Sequence, residues 1–466
     1  MNTIDLTSPY IWIFFAGTAI HMCWNAWLSW RDKDYILKTA AATPNRIWKL
    51  HNYAKEMFSV EKLSKALEYE RTISAFSAFE NRISRFIAFG TLAFGLIPWL
   101  LNIAMTDFRL HAWLALAIVP ILLSIANNVI SLPFDYYSTF TLEERFGFNN
   151  STVKLFFGDF FKNICIFSAI EFVVGVGTFF AFYALFKMYG KLDLLACLCL
   201  SALSLLLMML YELLYDKVLL PLFNEMKPLD EGPLKSKMED LLKKFGYNPS
   251  GVFVIDASKR SNHANAYCAG WGKNKHLVLF DTLLKDFSED ELMAILGHEL
   301  AHSKLHHLVW NRVTSFVGTF AYLYIASFFI NNYCISLLNA FGFRDRILDN
   351  FASCASSDKN MMLAAFATLG FMFFGKIWNS MSWIFDGISS WISRKMEFAA
   401  DAYSCKYTGN SEAMITALFK LYGKNLTYPI SDPIYEAWNF SHPSLINRVE
   451  ALKSRSIDEN NLIIKK

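Results

Sequence analysis

Charged residues are scarce in this chain. They make up 18% of its 466 residues, whereas about a quarter is usual in a soluble protein. The shortage is local, because several stretches of about 18 residues or more contain no charged side chain. Uncharged apolar stretches of that length are typical of transmembrane helices. They predict an integral membrane protein that is in contact with the lipid bilayer.

Other features are missing as well. The net charge is only +3, which is too small to indicate a nucleic-acid partner. None of the eight cysteines forms a CxxC pair, so we expect neither a disulfide framework nor a zinc site built from thiolates. The chain also lacks internal repeats and low-complexity segments, so we look for the function in the membrane spans and in the polar segments between them.

Seven apolar runs are long enough to be membrane spans. The first is too long for the core of a signal peptide and has no charged segment before it, so we expect it to be retained. The runs cover residues 6–30, 86–105, 112–134, 163–186, 194–211, 313–343 and 360–392.

The spans divide the chain into four predicted parts. These are a membrane region with five spans (1–215), a polar segment (216–307), a region with the last two spans (308–392) and a second polar segment (393–466). The predicted fold is mainly α, with about seven membrane helices.

Basic residues in the loops predict the orientation of the spans. Residues 1–8 contain no Lys or Arg, whereas ten occur from Arg31 to Arg82. The segment 217–307 and the tail after Arg394 are also basic. We therefore expect the N-terminus on the lumenal side and both polar segments on the cytosolic side.

Three charged residues fall inside the apolar runs, namely Glu171, Lys376 and Asp386. Charges at membrane depth usually face the interior of a helix bundle or a water-filled cavity. They can also lie near the ends of spans and reach water at the interface. Both interpretations stay open, although the second is weaker for Glu171, which lies in the middle of its run.

The polar segments contain recognisable elements. Residues 233–246 predict an amphipathic helix, and residues 252–256 and 276–280 predict two strands of a small sheet. Ser288 and Glu291 have the spacing of a capping box at the start of a helix. That helix continues directly into a cluster of histidines.

The stretch LGHELAHSKLHH, residues 296–307, contains four of the ten histidines. His298 and His302 are four residues apart, so a helix presents both imidazoles on one face. Glu299 follows His298 and can reach a metal-bound water without ligating the metal. This HExxH arrangement is typical of zinc proteases, in which the Glu acts as the general base.

Zinc needs a third protein ligand. The metzincin continuation is absent, because Lys304, Leu305 and Leu308 occupy its positions. A straight helix cannot bring His306 onto the ion that His298 and His302 bind, and His307 is expected to point elsewhere. For His306 and His307 we expect contacts around the ligands or with the membrane surface.

The third ligand is expected in SRKMEFAADAYS, residues 393–404. Glu397 and Asp401 share one helical face. Glu397 can ligate zinc, and Asp401 can accept the N–H of a ligating histidine. On spacing alone, an ordinary charged helix beside the membrane is an equal alternative. Two apolar runs separate His302 from Glu397, however, which returns the chain to the same side of the membrane.

Several unusual segments, in this order, make the chain resemble the CAAX prenyl protease 1 family over nearly its whole length. They are LEERFGFNN (142–150), PLFNEMKPLDEG (221–232), VIDASKRSNHANAYCAG (254–270), LVLFDTLL (277–284), LGHELAH (296–302), SRKMEFAADAY (393–403) and NFSHPSLINRVEAL (439–452).

The resemblance implies seven membrane helices around a large water-filled chamber and a gluzincin-like protease domain at its cytosolic end. It implies one Zn²⁺ per chain on His298, His302 and Glu397, with Glu299 as the base. It also implies the endoplasmic reticulum membrane, with the inner nuclear membrane as a second location. A monomer is expected.

The resemblance further implies that Asn265 contacts the substrate backbone and that His442 helps hold the substrate or its oxyanion. From the residues alone, Asn265 is only a polar residue at a strand edge and His442 a turn residue. The chain departs from the family pattern at Ala301 and Ser303 and in SNHANAY (261–267). None of these changes removes a group that the chemistry needs, although substrate preference could shift.

The implied reaction is removal of the last three residues of a prenylated CAAX protein, and a further upstream cleavage stays open. We expect an extended substrate to pair with the edge of the strand at 276–280. One alternative is a quality-control protease of the HtpX type, which shares the zinc motif. Another is a transporter or channel, which would account for Glu171 and Lys376 but not for the two metal-site motifs.

Overall fold

The structure, a computed structural model, describes residues 3–354 and 358–464. Most of these residues are helical. The α-helices are α1 Pro9–Thr39, α2 Thr43–Leu50, α3 Ala54–Met57, α4 Val60–Ala93, α5 Leu96–Thr106, α6 Ala112–Tyr137, α7 Glu144–Phe146, α8 Val153–Tyr189, α9 Leu194–Leu214, α10 Leu220–Phe223, α11 Pro233–Lys244, α12 Asp281–Asp286, α13 Glu289–Lys304, α14 His307–Ala340, α15 Asp345–Cys354, α16 Lys359–Ser382, α17 Asp386–Thr408, α18 Ser411–Lys424, α19 Pro433–Asn439 and α20 Leu445–Ile464. The strands are β1 Met226–Pro228, β2 Asn248–Ile255, β3 Ala266–Ala269 and β4 Asn274–Phe280.

Six helices in the described part of the chain are long and apolar enough to cross a membrane, and a bent pair makes a seventh candidate. The expected mainly α, multi-pass fold with a small sheet is thus confirmed. The six are Pro9–Thr39, Ala112–Phe146, Val153–Tyr189, Leu194–Phe223, His307–Ala340 and Lys359–Thr408.

The bent pair consists of α4 and α5, whose axes differ by 54°. The sequence predicted one run here, over residues 86–105, but the helix breaks within it. Gly95 has a left-handed φ of 61° between the two helices, and Pro98 lies in the first turn of α5, where a missing N–H costs little. An apolar run predicts which residues lie within the membrane, but it does not predict whether their helix is broken.

The four strands form one sheet in the order β1–β2–β4–β3. β2 and β4 are parallel, whereas β1 and β3 pair antiparallel with β2 and β4 respectively. The sequence predicted β2 and β4 but missed the short outer strands. As a result, the expected edge at 276–280 is wrong, because β4 lies in the interior and β3 is the edge strand beside it.

A tight turn joins β3 to β4. Gly270 has a φ of 99°, and a Cβ there would collide with the backbone carbonyl of Asn274. Glycine is therefore required at this position for the close approach of the two strands.

The sheet supports the histidine-bearing helix through a shared core. Leu277 and Leu279 of β4 are fully buried in one cluster with Leu296 and Leu300 of α13 and with Ala400 of α17. Residues two apart on a strand and four apart on a helix lie on one face of each element. Packing of these faces fixes α13 between the sheet and α17.

The last membrane helix is continuous over Lys359–Thr408, 50 residues in all. It passes through a 3₁₀ turn at Trp383–Phe385 that joins α16 to α17. At 1.5 Å per residue it extends about 75 Å. One element therefore carries both a membrane span and the expected third ligand, Glu397.

A cavity of about 880 Å³ lies among α1, α4, α5, α6 and the last long helix. His21, Arg85, Lys376 and Asp386 line it together with many apolar side chains. Lys376 and Asp386 thus lie on the wall of a cavity inside the bundle. Glu171 instead accepts a hydrogen bond from the Ser124 hydroxyl at 3.0 Å, which links α8 to α6.

Candidate active site

The helix that carries the HExxH motif begins at a complete capping box. The Ser288 hydroxyl accepts a hydrogen bond from the Glu291 backbone N–H at 3.3 Å, and the Glu291 carboxylate accepts one from the Ser288 N–H at 2.8 Å. Lys420 of α18 donates to the same carboxylate at 2.6 Å. The start of α13 is therefore fixed both by its own cap and by a neighbouring helix.

Small residues allow α17 to approach α13 closely. The Ser404 hydroxyl donates to the Ala294 carbonyl at 2.6 Å. A Cβ on Gly297 would lie only 2.8 Å from that hydroxyl oxygen. Ala301 and Ala400 are fully buried on the facing surfaces. Any larger side chain at Gly297 would separate the two helices.

This approach brings the three expected ligands together. The Nε2 atoms of His298 and His302 are 3.1 Å apart. The two carboxylate oxygens of Glu397 lie 3.3 Å from His298 Nε2 and 3.3 Å from His302 Nε2. Zinc bonds of about 2.0–2.1 Å in a tetrahedron place neighbouring donor atoms about 3.3 Å apart. The spacing of the three groups therefore fits one zinc ion.

The environment also fits a cation. Among the described residues, no donor is aligned for a hydrogen bond to the buried Oε2 of Glu397. Burial lowers the pKa of His298, but its contacts with Asp401 and Glu397 outweigh that effect and raise the pKa to about 9. The two carboxylates therefore favour positive charge at this position, and a divalent ion would supply it.

Asp401 lies behind His298, with its Oδ1 2.8 Å from His298 Nδ1. Asp401 is therefore placed where it can accept the N–H of a ligating histidine, as predicted for it. Arg448 of α20 donates two hydrogen bonds to Asp401, at 2.8 and 2.6 Å, and both side chains are buried. Sequence reasoning gave Arg448 no role, since its only signal was its place in the segment 439–452.

His307 takes the corresponding position behind His302. Their Nδ1 atoms are 2.9 Å apart, so one nitrogen must carry the proton and the other must accept it. With Nε2 of His302 directed to the metal position, its Nδ1 holds the proton and donates to His307. His307 thus contacts a ligand, which is one of the two placements expected for it, although the expectation that it points elsewhere is wrong. His306 is exposed and has a left-handed φ of 57°, and this break between α13 and α14 turns His307 towards His302.

Glu299 is half-buried beside His298. Burial raises the pKa of its carboxyl group, while the neighbouring imidazoles of His298 and His302 oppose that shift. A carboxylate with a raised pKa is a better proton acceptor, which suits the base role expected for Glu299.

His442 and Asn265 are the two residues expected to contact the substrate. His442 Nδ1 is 2.8 Å from Glu397 Oε2, and 62% of its side chain is exposed. Asn265 is exposed and directly precedes β3, which packs beside α13. Its side-chain oxygen accepts from the Ala266 N–H, while its Nδ2 donates to no other described residue. His442 can therefore reach a molecule bound over the ligands, and Asn265 offers a free amide donor at the start of β3.

Comparisons with known proteins agree with this site. Residues 228–456 match the model of peptidase family M48, and residues 48–225 match that of the CAAX prenyl protease N-terminal region with five membrane helices. Peptidases of family M48 are zinc-dependent.

Several relatives match most of the chain. CAAX prenyl protease 1 of Saccharomyces cerevisiae is 33% identical over 71% of this chain and 70% of its own length. The CAAX prenyl protease 1 homolog of rice is 30% identical over 90% of this chain and 94% of its own.

A solved structure matches as well. The crystal structure of the Ste24p protein of S. mikatae has a TM-score of 0.81 and 28% identity, and it covers 95% of this chain and 99% of that one. The chain therefore belongs to the CAAX prenyl protease 1 family within peptidase family M48, and it is a multi-pass membrane metalloendopeptidase.

Proposed function

We propose that the protein is a zinc endopeptidase that removes the last three residues of prenylated CAAX proteins. The observation that carries the proposal is the convergence of His298, His302 and Glu397 where α13 packs between the small sheet and the end of the last long helix. The names of its relatives support the choice of substrate.

The chemistry follows from the residues around the ligands. When bound, zinc would polarise the scissile carbonyl and lower the pKa of its water towards about 7. Glu299 accepts a proton from the attacking water as the water oxygen bonds to the carbonyl carbon, and it passes this proton to the amine that leaves when the C–N bond breaks. His442 lies on the exposed side of Glu397 and donates a hydrogen bond to the developing oxyanion.

The edge strand β3 orients the substrate. Within the described chain β3 pairs only with β4, so its outer edge is open to an extended peptide. Asn265 stands at the start of this edge with a free amide donor. A peptide paired with β3 would pass over the ligands on α13, which β3 packs beside.

The membrane bundle fits a lipid-modified substrate. A prenyl chain gains about 0.8 kcal/mol for each CH₂-sized group that it buries, so it partitions into the bilayer. The cavity of about 880 Å³ in the bundle offers an apolar wall beside that bilayer. A membrane enzyme therefore meets this substrate where the substrate already resides.

The distribution of basic loops supports an active site towards the cytosol. We propose the endoplasmic reticulum membrane, and also the inner nuclear membrane, as the location, on the basis of the relatives. We propose a monomer with one zinc ion. An upstream cleavage of the same substrate is compatible with an edge strand that binds extended peptides.

Replacing the base tests the proposal. In purified protein reconstituted into vesicles, Glu299→Gln should keep one zinc per chain and slow cleavage of a farnesylated peptide by about 10³-fold or more. Glu289→Gln, the same change in the first turn of α13, should leave both unchanged. Zinc is measured by elemental analysis and cleavage by chromatography.

Cleavage of the same peptide without its farnesyl group distinguishes the proposed function from a quality-control protease. The proposal requires that it be cleaved much more slowly than the farnesylated form. Equal cleavage of both peptides would favour the quality-control protease, and full activity of Glu299→Gln would refute the role of the base.

A further inference from the structure

His442 reaches the site from a short loop. This loop, residues 440–444 and called here the His442 loop, connects α19 to α20. The His442 side chain is largely exposed, so few side-chain contacts hold it. The direction of its imidazole therefore depends on how the backbone of the loop and of α19 is fixed.

One face of α17 holds that backbone. Ser390, Arg394 and Glu397 are spaced four and three residues apart, so they project from the same side of the helix. The Ser390 hydroxyl donates to the Trp438 carbonyl at 2.9 Å. Glu397 lies 2.8 Å from His442. Arg394 lies between these two contacts, on the helix that also carries the expected metal ligand.

Arg394 binds the end of α19. Its Nη1 donates to the carbonyl oxygens of Glu436 and Ala437, both at 2.9 Å, and to that of Phe440 at 2.8 Å. The last carbonyls of a helix lack partners within the helix and carry partial negative charge. A half-buried guanidinium at this position satisfies them and joins α19 to the first residue of the His442 loop.

The other end of the loop is closed through Glu436. Its carboxylate Oε1 accepts hydrogen bonds from the Ser444 N–H at 3.0 Å and from the Asn447 side chain at 2.9 Å. Glu436 is buried. Arg394 binds the carbonyl of Glu436, and the carboxylate of Glu436 binds the end of the loop. Both ends of the His442 loop are therefore connected to α17 through hydrogen bonds.

We propose that Arg394 is a positioning residue that fixes His442 relative to Glu397, so that the imidazole meets the oxyanion without reorganisation. This inference rests on the proposed function, in which His442 donates to the oxyanion. Arg394 itself touches neither the ligands nor the substrate and acts only through the His442 loop.

Steady-state kinetics on a farnesylated peptide test the role. Arg394→Met should lower kcat about tenfold or more and change KM by less than about threefold, because the contact is needed mainly in the transition state. All three carbonyls meet one nitrogen, so an ammonium can replace it, and Arg394→Lys should recover a large part of kcat. Lys395→Met, on the exposed neighbouring residue, should leave both parameters unchanged.

A double-mutant cycle separates positioning from general damage. In a His442→Ala background, Arg394→Met should lower kcat by less than about twofold, because the group that it positions is gone. Equal losses in both backgrounds would overturn the proposal, and so would an unchanged kcat for Arg394→Met. If Arg394→Met does not accumulate in the membrane, Arg394→Gln carries the same cycle.

Hydrogen–deuterium exchange gives a readout that does not depend on activity. Arg394→Met should speed exchange in residues 436–444 and leave α13 unchanged, and zinc content should stay at one per chain. Faster exchange in α13 or loss of zinc would overturn the proposal. If the wild type does not cleave the prenylated peptide, the proposed function fails, whereas exchange at 436–444 still decides whether Arg394 holds the loop.

Discussion

At the residue scale, two buried side chains hold the imidazoles of the site by their outward nitrogens. Asp401 lies 2.8 Å from His298 Nδ1, and His307 lies 2.9 Å from His302 Nδ1. Such partners fix which ring nitrogen carries the proton and therefore which one is free for a metal. The two histidines have partners of different kinds, an anion and a neutral ring.

Replacing His307 tests this arrangement. His307→Phe keeps an aromatic ring but removes the acceptor for His302, so zinc affinity should fall by about 10–100-fold. His306→Asn, at the exposed neighbouring position whose left-handed φ Asn tolerates, should leave zinc affinity unchanged. Competition with a chromophoric chelator measures both. Equal affinities for the two variants would refute the role of His307.

Much of the site was predictable at this scale. The spacing within HELAH and within EFAAD determined which side chains share a helical face, and the two intervening spans brought both motifs to one side. The partner of His307 and the role of Arg448 could not be assigned in this way. The contact of His307 depends on the break at His306, and that of Arg448 on the packing of α20 against α17, and neither is a matter of local spacing.

At the scale of elements, the site depends on the distance between α13 and α17. Gly297 is a point of close approach, since a Cβ there would lie 2.8 Å from the Ser404 hydroxyl and 3.2 Å from a Thr408 methyl. The histidines come from one of these helices and Glu397 from the other. A shift of a few tenths of an ångström between them therefore changes the spacing of the three ligands.

Gly297→Ala should consequently weaken zinc binding and lower kcat, both by about tenfold or more. Gly318→Ala, in α14, adds the same methyl group where nothing lies within 4 Å and should alter neither quantity. Ser404→Ala should partly rescue Gly297→Ala, because it removes the atom that the new methyl group meets. Wild-type zinc affinity in Gly297→Ala would contradict this account.

The existence of two strands could be predicted from the sequence, but the order of the strands in the sheet could not. The apolar residues of β2 and β4 predicted their existence, but the order of strands in a sheet depends on pairing between distant residues. β3 has only four residues, AYCA, next to a turn-like segment, too few to show a period of two. The substrate edge was therefore assigned to β4, which lies between β2 and β3.

At the scale of the whole molecule, metal binding and folding are coupled. The site draws its residues from α13, α14, α17 and α20 and from the loop after α19, so the ligands meet only in the folded protein. An ion that binds the folded state alone stabilises it by about 2.7 kcal/mol when its concentration is a hundred times its Kd.

Chelation should therefore abolish cleavage and lower the midpoint of thermal unfolding, and zinc should restore both. Tryptophan fluorescence during heating follows the unfolding. The triple variant in which His298, His302 and Glu397 are all replaced is the control, and its midpoint should not respond to zinc. A midpoint in the wild type that ignores both chelator and zinc would show that the site binds no structural ion.

The continuous helix Lys359–Thr408 has a consequence for the lipid surroundings of the enzyme. Glu397 lies about 57 Å along it from Lys359, whereas His298 and His302 belong to a helix outside the membrane spans. A bilayer thinner or thicker than the apolar length of this helix changes the tilt of the helix. Because the helix is continuous, a change of tilt within the membrane displaces the Glu397 carboxylate at its far end. Turnover should therefore be highest at one acyl-chain length and fall in vesicles of shorter or longer lipids. Bilayer thickness would then regulate the rate of peptide cleavage.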